Sequence, residues 1–322
     1  MRNATLRQLK VFEAVARHLS FSRAAEELHL TQPAVSIQVR QLEHHAGLAL
    51  FEQLGKKTYL TAAGHEMLVH ARAVINQFRE AEEALAALKG VRGGRLNVAV
   101  ISAGDYFFPR LLAEFCRRHE EITVGLSVHN REELLRQLAE NATDLAVLLR
   151  PPEAADAVAE PFAPQPQVIV AAPDHPLAAA RRIPLKALAR EKFIVRERGS
   201  DTRISMDEAF AERRFRARIA MEITSFETIK QAVMAHMGIS FLSTHTIGLE
   251  VRTGALAVLD VDGFPVVRHW HVVHRRAKRL PPVALAFKEF LRSEGAALIE
   301  RLLPFRGGAR PRKSPGSRPA NS

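Results

Sequence analysis

Residues 20–43 read SFSRAAEELHLTQPAVSIQVRQLE, and this stretch decides how the rest of the chain is interpreted. It holds two short helical patterns that are interrupted by His29-Leu30-Thr31, and Pro33 lies where the second pattern begins. Proline has no amide hydrogen to lose in the first turn of a helix and its φ is preset, so Pro33 predicts a helix start. Thr31 is the expected cap in front of that helix.

The flanking residues complete the pattern of a winged helix-turn-helix. A preceding helix is predicted from apolar residues at helical spacing, namely Leu6, Leu9, Phe12, Val15, Ala16 and Leu19. Ser22 is the expected cap of the second helix. The inner face of the third helix carries Val35, Val39 and Leu42. Residues 52–61 then favour two short strands joined by a basic turn that contains Lys56 and Lys57.

One long helical pattern without proline follows, from residue 62 to residue 89. Its apolar residues are spaced alternately by three and four positions: Ala71, Val74, Phe78, Ala81, Leu85 and Leu88. An apolar seam on an otherwise polar helix has to be covered, and a second copy of the same helix is the simplest cover. The pattern therefore predicts a homodimer through this helix.

Beyond the glycine-rich segment at residues 90–94, strand and helix patterns alternate. Strands are predicted at residues 95–101, 124–128, 144–149, 168–171, 193–195, 239–242 and 269–274, and helices through residues 111–115, 132–139, 226–237 and 284–303. This β-α-β alternation predicts an α/β fold with a mostly parallel sheet, arranged in two sets of elements. The last helix is expected to return to the first set.

The formal net charge of +11 points to a polyanionic partner. Five basic and no acidic residues lie in the segment 304–322, whose Pro, Gly, Ser and Arg content predicts a disordered tail. No apolar run approaches the roughly 18 residues that span a bilayer, and the N-terminus lacks the apolar core of a signal peptide. The single cysteine, Cys116, fits a reducing compartment, so a cytoplasmic protein without a membrane partner is expected.

An enzyme is the rival class, and the motifs give it little support. Five histidines fall in the C-terminal third, at His236, His245, His269, His271 and His274. No HExxH or cysteine-histidine spacing accompanies them, and GxSxG, P-loop and GxGxxG motifs do not occur. The expectation is therefore no catalytic residue, no metal and no cofactor, with a metal-dependent enzyme kept as a remote alternative.

Residues 12–52, FEAVARHLSFSRAAEELHLTQPAVSIQVRQLEHHAGLALFE, resemble the DNA-binding signature of the LysR-type transcriptional regulators. The resemblance implies a winged helix-turn-helix domain at 1–61, a dimerising linker helix at 62–90 and a two-lobed, periplasmic-binding-protein-like effector domain at 91–303. Lobe I would cover about 91–163 and 268–303, and lobe II about 164–267. The family also implies a homodimer or homotetramer, an inverted-repeat operator in double-stranded DNA, a small-molecule effector and contact with RNA polymerase.

Weaker segments narrow the resemblance. Residues 227–256, ETIKQAVMAHMGISFLSTHTIGLEVRTGAL, and residues 270–274, WHVVH, are similar to family members that regulate Calvin-cycle (RuBisCO) operons. The implied function is a metabolite-responsive activator of carbon-fixation genes. A regulator of a different metabolic operon is the alternative. Many family members have an arginine where this chain has Gln53, which leaves wing contacts to Lys56 and Lys57.

The DNA-reading residues are expected on the third helix, whose first turns would enter the major groove. Gln32 suits adenine and Arg40 suits guanine or phosphate, while Pro33 or Ala34 can pack on a thymine methyl group. The candidate set is Ser22, Arg23, Thr31, Gln32, Pro33, Ala34, Ser36, Gln38, Arg40, Lys56 and Lys57. Two alternatives remain open: these side chains cover a solvated helix face, or the protein binds DNA without sequence preference.

The effector is expected between the two lobes, where strands end and helices begin. Candidate residues follow the first strand, cap helices or lie in the turn before a helix: Ser102, Ala103, Asn130, Arg150, Ser200, Thr202, Arg203 and Thr228. They suit a phosphorylated or carboxylated metabolite, and the Calvin-cycle resemblance adds sugar phosphates, phosphoenolpyruvate and NADPH as effectors. For each residue, ordinary capping or surface ion pairing is the alternative.

Overall fold

The computed structural model describes residues 4–55, 57–88, 94–152 and 156–303. The chain begins with α1 (Leu6–His18), α2 (Phe21–Glu27) and α3 (Gln32–Ala46), which are followed by the strands β1 (Phe51–Leu54) and β2 (Lys57–Leu60). The two strands pair antiparallel, with Leu54 opposite Lys57. The predicted winged helix-turn-helix is confirmed. Lys56 and the predicted tail at 304–322 lie outside the described residues.

A small apolar core holds this N-terminal head together. Phe12, Val35 and Leu42 are fully buried, and the ring of Phe51 on the wing packs on Phe12 with 5.3 Å between centroids. A second ring, that of Phe21 at the start of α2, lies 5.6 Å from Phe51. Aromatic contacts therefore fix the wing against the helices.

The prediction that Ser22 caps α2 is wrong. The helix begins at Phe21, and Ser20 is its cap: the Ser20 hydroxyl accepts a hydrogen bond from the amide of Arg23 at 3.4 Å. The preceding Leu19 adopts a left-handed backbone with φ 47°, which ends α1 and lets the chain turn directly into α2. Ser22 lies inside the first helical turn, and its side chain is exposed.

The linker helix α4 (Ala62–Leu88) leaves the head in one piece. Ala71 is buried against the head core, so it does not belong to an open seam as predicted. Beyond it, Val74, Phe78 and Leu85 are 49%, 48% and 59% exposed. The apolar seam of the described helix therefore begins at Val74.

The remaining elements form two lobes. In chain order they are β3 (Gly94–Ile101), α5 (Phe108–Cys116), β4 (Ile122–His129), α6 (Arg131–Ala139), β5 (Leu145–Leu148), β6 (Ala157–Ala171), β7 (Lys192–Arg196), α7 (Asp201–Glu212), β8 (Arg218–Ile223), α8 (Phe226–Met234), β9 (Ser240–Ser243), α9 (Gly248–Arg252), β10 (Ala257–Val258), β11 (Val266–Arg275) and α10 (Pro282–Leu302). Short 3₁₀ turns lie at Ser102–Gly104 and Leu185–Arg190. We use lobe I for the part built on β3–β5, α5, α6 and α10, and lobe II for the part built on β7–β10 and α7–α9.

The expectation of a mostly parallel sheet is wrong, because two long strands run through both lobes. The main sheet has the order β10-β6-β11-β5-β3-β4, with β9 also paired to β6. Only β3 pairs in parallel there, with β4 and β5, and β7 pairs in parallel with β8 in a separate sheet. β6 and β11 pair antiparallel from Val266 opposite Gln167 to Arg275 opposite Ala157. The α/β class is confirmed, and the sheet is mixed.

The last helix returns to lobe I as predicted. The ring of Phe287 on α10 lies 4.9 Å from Phe115 and 5.9 Å from Phe108, both on α5.

Among the described helices, none combines the length and the apolar composition needed to cross a membrane.

Candidate nucleic-acid interface and effector cleft

Helix α3 starts as the sequence predicts. Thr31 caps it, and its hydroxyl accepts a hydrogen bond from the amide of Ala34 at 3.4 Å. Pro33 lies in the first turn, where its missing amide leaves no intrahelical bond unmade. Val35, Val39 and Leu42 are buried. The opposite face of α3 therefore points to solvent.

That outward face is mostly polar. Gln32, Pro33 and Arg40 are exposed, whereas Ala34, Ser36 and Gln38 are half-buried. The Gln32 amide donates a hydrogen bond to the Ser36 hydroxyl at 3.4 Å, so these two side chains share a face. Within the described part of the chain, the Arg40 guanidinium has neither an ion pair nor a hydrogen bond. It is available to an outside anion or base edge.

The wing lies beside this helix and is held by a residue that sequence reasoning missed. The Glu43 carboxylate accepts hydrogen bonds from the amides of Leu50 at 2.8 Å and Phe51 at 3.2 Å. It therefore fixes β1 to the last turn of α3. Lys57 is exposed at the start of β2, and Lys56 falls outside the described ranges. A glutamate ten residues beyond Pro33 gave no sequence signal of this role.

Not every cation of the head is free for DNA. The Arg17 guanidinium donates to both carboxylate oxygens of Glu27, at 2.7 and 2.6 Å, and His18 lies 2.6 Å from the same group. The hydrogen bond from Arg17 lowers the pKa of Glu27 to about 2. Glu27 is therefore charged at neutral pH and neutralises Arg17. Ser22 and Arg23, on α2, are exposed.

A second candidate site lies between the lobes, where β3 ends and α7 and α8 begin. Its cavity volume is about 10 Å³, so the cleft is nearly closed in this structure. The lining residues are Ile101, Ser102, Ala103, Asn130, Arg131, Arg196, Glu197, Ser200, Asp201, Thr202 and Phe226. The position agrees with the rule that ligands bind at the carboxyl ends of parallel strands.

Five of the eight predicted effector residues line this cleft, and three do not. Those in the lining are Ser102, Ala103, Asn130, Ser200 and Thr202. Arg203 is buried inside lobe II, where it donates to Asp207 at 3.0 Å and Glu222 at 3.0 Å. Arg150 is exposed and pairs with Glu208 at 2.7 Å. Thr228 is exposed on α8, and its amide donates to the Ser225 hydroxyl at 3.3 Å.

Two of the five lining residues are also helix caps. The Ser200 hydroxyl accepts from the amide of Arg203 at 3.2 Å, and Asn130 accepts from the amide of Glu133 at 2.9 Å. The Glu133 carboxylate pairs with Arg136. Thr202 differs from both. It is 3% exposed, and no hydrogen bond reaches its hydroxyl from the described residues.

Charged groups that sequence reasoning missed bridge the lobes at this cleft. The Asp201 carboxylate of lobe II accepts hydrogen bonds from Arg131 at 2.7 Å and from the amide of Leu149 at 3.0 Å, both in lobe I. Burial raises the pKa of Asp201, and the charge of Arg131 opposes that shift. Only the fold reveals this pair, because 70 residues separate its members.

Arg196 supplies a second cation. Its guanidinium pairs with Glu197 at 2.7 Å, lies 3.5 Å from the Ser102 hydroxyl and is 4.0 Å above the ring of Phe226. The side chain is buried. The cleft therefore holds two guanidinium groups, each already paired with a carboxylate, and one hydroxyl without a partner among the described residues. A small anion could bind there by competing with those carboxylates for the guanidinium groups.

The histidines of the C-terminal third interact with protein groups and do not form a cluster of metal ligands among the described residues. His245 is buried and accepts a hydrogen bond from the Trp270 indole at 3.2 Å, and burial lowers its pKa to about 4. His271 lies with Nδ1 3.0 Å from the carbonyl of Leu149. In the four described ranges, no three His, Cys, Asp or Glu residues come together as metal ligands would.

Comparison with known proteins agrees with this architecture. Residues 6–65 match the family described as bacterial regulatory helix-turn-helix protein, lysR family, and residues 89–296 match the LysR substrate binding domain. The RuBisCO operon transcriptional regulator of Allochromatium vinosum is 52% identical over 300 residues, which cover 93% of this chain and 99% of that protein.

Two solved structures show the same fold. The CcmR regulatory domain of Synechocystis PCC6803, solved in complex with 2-PG, is 40% identical with a TM-score of 0.59, and the match covers 62% of this chain and 96% of that one. A full-length OxyR variant from Pseudomonas aeruginosa is 24% identical with a TM-score of 0.71, over 90% of this chain and 98% of that one. Family matches to both halves of the architecture, together with the close relative, show that the chain belongs to the LysR family of bacterial transcriptional regulators.

Proposed function

We propose that this chain is a cytoplasmic, metabolite-responsive transcriptional activator of Calvin-cycle carbon-fixation genes, and not an enzyme. The observation that carries the proposal is the outward face of α3, where Arg40 has no partner in the described chain and Gln32 is exposed. The target genes are inferred from relatives such as the RuBisCO operon transcriptional regulator of Allochromatium vinosum.

In this proposal α3 lies in the major groove of double-stranded DNA. Gln32 hydrogen-bonds an adenine, and Arg40 reaches guanine or phosphate. Pro33 and Ala34 pack on a thymine methyl group. The other candidate contacts are mostly with the sugar-phosphate backbone of the DNA. They come from Ser22, Arg23, Thr31, Ser36, Gln38, Lys56 and Lys57.

The proposed assembly is a homodimer, or a homotetramer made of two dimers. The exposed seam of α4, formed by Val74, Phe78 and Leu85, needs an apolar cover, which a second α4 would provide. Two heads related by a twofold axis would read inverted half-sites. We retain the proposed division into head (1–61), linker helix (62–90), effector domain (91–303) and tail (304–322), with RNA polymerase as a further partner.

A competition assay tests the DNA-binding part. The full-length chain is titrated onto a fluorescent duplex from the region upstream of the RuBisCO genes, and unlabelled cognate and scrambled duplexes compete for it. A specific regulator should prefer the cognate duplex by at least about 1,000-fold. Arg40→Ala should lower cognate affinity by roughly tenfold or more, whereas Arg117→Ala, at an exposed arginine directly after α5, should not. Equal competition by both duplexes would make the protein a non-specific DNA binder.

For the effector we propose a small anion with phosphate or carboxylate groups, bound between the lobes. Ser102, Thr202, Arg131 and Arg196 would contact it. The relative solved in complex with 2-PG supports this class. The cavity volume of about 10 Å³ is roughly the room that one water molecule needs, so the lobes must move to admit any of these effectors. Binding would rotate or close the lobes and so change the spacing and bend imposed on DNA.

Calorimetry of the full-length chain with 2-PG, phosphoenolpyruvate and NADPH tests this proposal. Thr202→Val removes one buried hydroxyl and keeps the shape of the side chain, so it should weaken binding of the active anion by roughly tenfold. Thr228→Val makes the same change at an exposed position outside the cleft and should leave binding unchanged. Equal effects of the two substitutions would contradict the proposed site.

A further inference from the structure

Ile37 is a large apolar residue on the outward, solvent-facing side of α3. It is 52% exposed, while the other large apolar residues of the helix, Val35, Val39 and Leu42, are 0%, 2% and 0% exposed. A β-branched side chain also adds nothing to helix propensity. Neither packing nor propensity within this chain therefore explains an isoleucine at this position.

The neighbours of Ile37 are polar groups of the kind that contact nucleic acid. Ser36 precedes it, Arg40 lies one turn further along, and Gln41 is exposed beside it. The side-chain carbonyl oxygen of Gln41 accepts a hydrogen bond from the side-chain amide of Gln8 at 3.1 Å. This bond fixes the Gln41 side chain next to α1. Ile37 is thus an apolar centre within a polar, cationic surface, which matches DNA better than it matches an apolar protein partner.

The major-groove edge of DNA offers one apolar group, the C5 methyl of thymine. Ile37 lies five residues from the first residue of α3, or about 7.5 Å along the helix axis. Its side chain is on the face opposite the buried Val35, Val39 and Leu42, so it faces the DNA when α3 lies in the groove. A helix that enters by its first turns can therefore bring this side chain to a base edge.

We propose that Ile37 is a specificity-determining residue that packs on a thymine methyl group at one fixed position of each operator half-site. The proposal rests on the proposed sequence-specific DNA binding and adds one base contact to it. It predicts a thymine preference separate from any set by Pro33 or Ala34, because those residues lie about one turn earlier on the helix.

A methyl-deletion scan of the operator tests the contact. Each thymine of the half-sites is replaced in turn by deoxyuridine, which removes the C5 methyl and keeps every hydrogen-bonding group. Duplex affinities are measured for the full-length wild type, Ile37→Ala, Ile37→Val and Leu48→Ala. Leu48 is a matched control because it is an exposed aliphatic residue of the same head, at 61%, outside α3.

For the wild type, one thymine per half-site, in addition to any that Pro33 or Ala34 contacts, should lose about fourfold in affinity when its methyl group is removed. Ile37→Ala should bind the unmodified operator more weakly and lose the sensitivity at that one position only. Ile37→Val and Leu48→Ala should keep it. If every thymine that is sensitive with the wild type stays sensitive with Ile37→Ala, the inference is overturned and sequence-specific binding stands. If a specifically bound operator has no sensitive thymine, the inference is overturned together with the proposed methyl contact of Pro33 or Ala34. Failure of the wild type to prefer any operator overturns the proposed function itself.

Discussion

At the scale of single residues, neighbours on one helix have separate tasks. The sequence places Ser200, Thr202 and Arg203 together at the start of α7 and predicts that all three bind the effector. The fold makes Ser200 a cap, places Thr202 in the cleft lining with no hydrogen bond to its hydroxyl from the described residues, and buries Arg203 in lobe II. Sequence spacing places such residues at a helix start, but it does not determine which of them faces a ligand.

Arg203→Met should destabilise lobe II without abolishing ligand contacts. The guanidinium is buried and binds two carboxylates and the carbonyl of Arg196. Both carboxylates are about half exposed, and they can hydrate once the cation is gone. The expected loss in the free energy of unfolding is therefore moderate, about 1–3 kcal/mol. Urea denaturation of the full-length chain measures it. If Arg203→Met lost anion binding while its stability stayed unchanged, Arg203 would be an effector-binding residue and not a structural one.

His245 should give the protein an acid-sensitive component of stability. Burial lowers its pKa in the folded state to about 4, compared with 6.5 in the unfolded chain. Between these values the unfolded state binds the extra proton, so stability falls as the pH falls from 6.5 towards 4. The full difference is about 3 kcal/mol. His245→Gln does not titrate and can still accept from the Trp270 indole, so its unfolding free energy should fall less over this range. Parallel pH profiles for the two proteins would contradict the assignment.

At the scale of elements, the linker helix makes the clearest prediction. Phe78→Glu places a charge in the exposed seam of α4, where a second copy is proposed to pack. Sedimentation of the full-length chain should show the assembly shifted strongly towards monomer. Ala73→Glu adds the same charge on the same helix outside the heptad positions and should sediment like the wild type. If both variants keep the wild-type assembly, α4 does not form the dimer contact.

Local patterns were sufficient for the start and the buried face of α3, and insufficient for the lobes. Pro33, its cap Thr31 and the buried face of α3 follow from properties of adjacent residues, so they could be predicted. The path of β6 depends on β11, about 100 residues later in the chain, and no local pattern reports that pairing. The pair formed by Arg131 and Asp201 escaped prediction for the same reason.

At the scale of the whole molecule, an ion-pair joint connects lobe I to the DNA-binding head. Arg72 on α4 lies 3.0 Å from Glu140 of lobe I and 3.5 Å from Glu13 on α1. A nearby arginine, Arg79, lies 3.7 Å from the buried Asp144 at the start of β5. A rotation of lobe I would disturb these ion pairs. A conformational change at the effector cleft could therefore move α4 and, with it, the DNA-binding head.

The most direct test of the account is a footprint of the full-length chain on the DNA upstream of the RuBisCO genes, with and without 2-PG. A metabolite-responsive regulator should protect one inverted repeat, and the length or the hypersensitive sites of that footprint should change when the anion is added. Thr202→Val should give the same footprint without 2-PG and fail to respond when it is added. Uniform protection along the DNA, or a Thr202→Val footprint that still responds to the anion as the wild type does, would contradict the account.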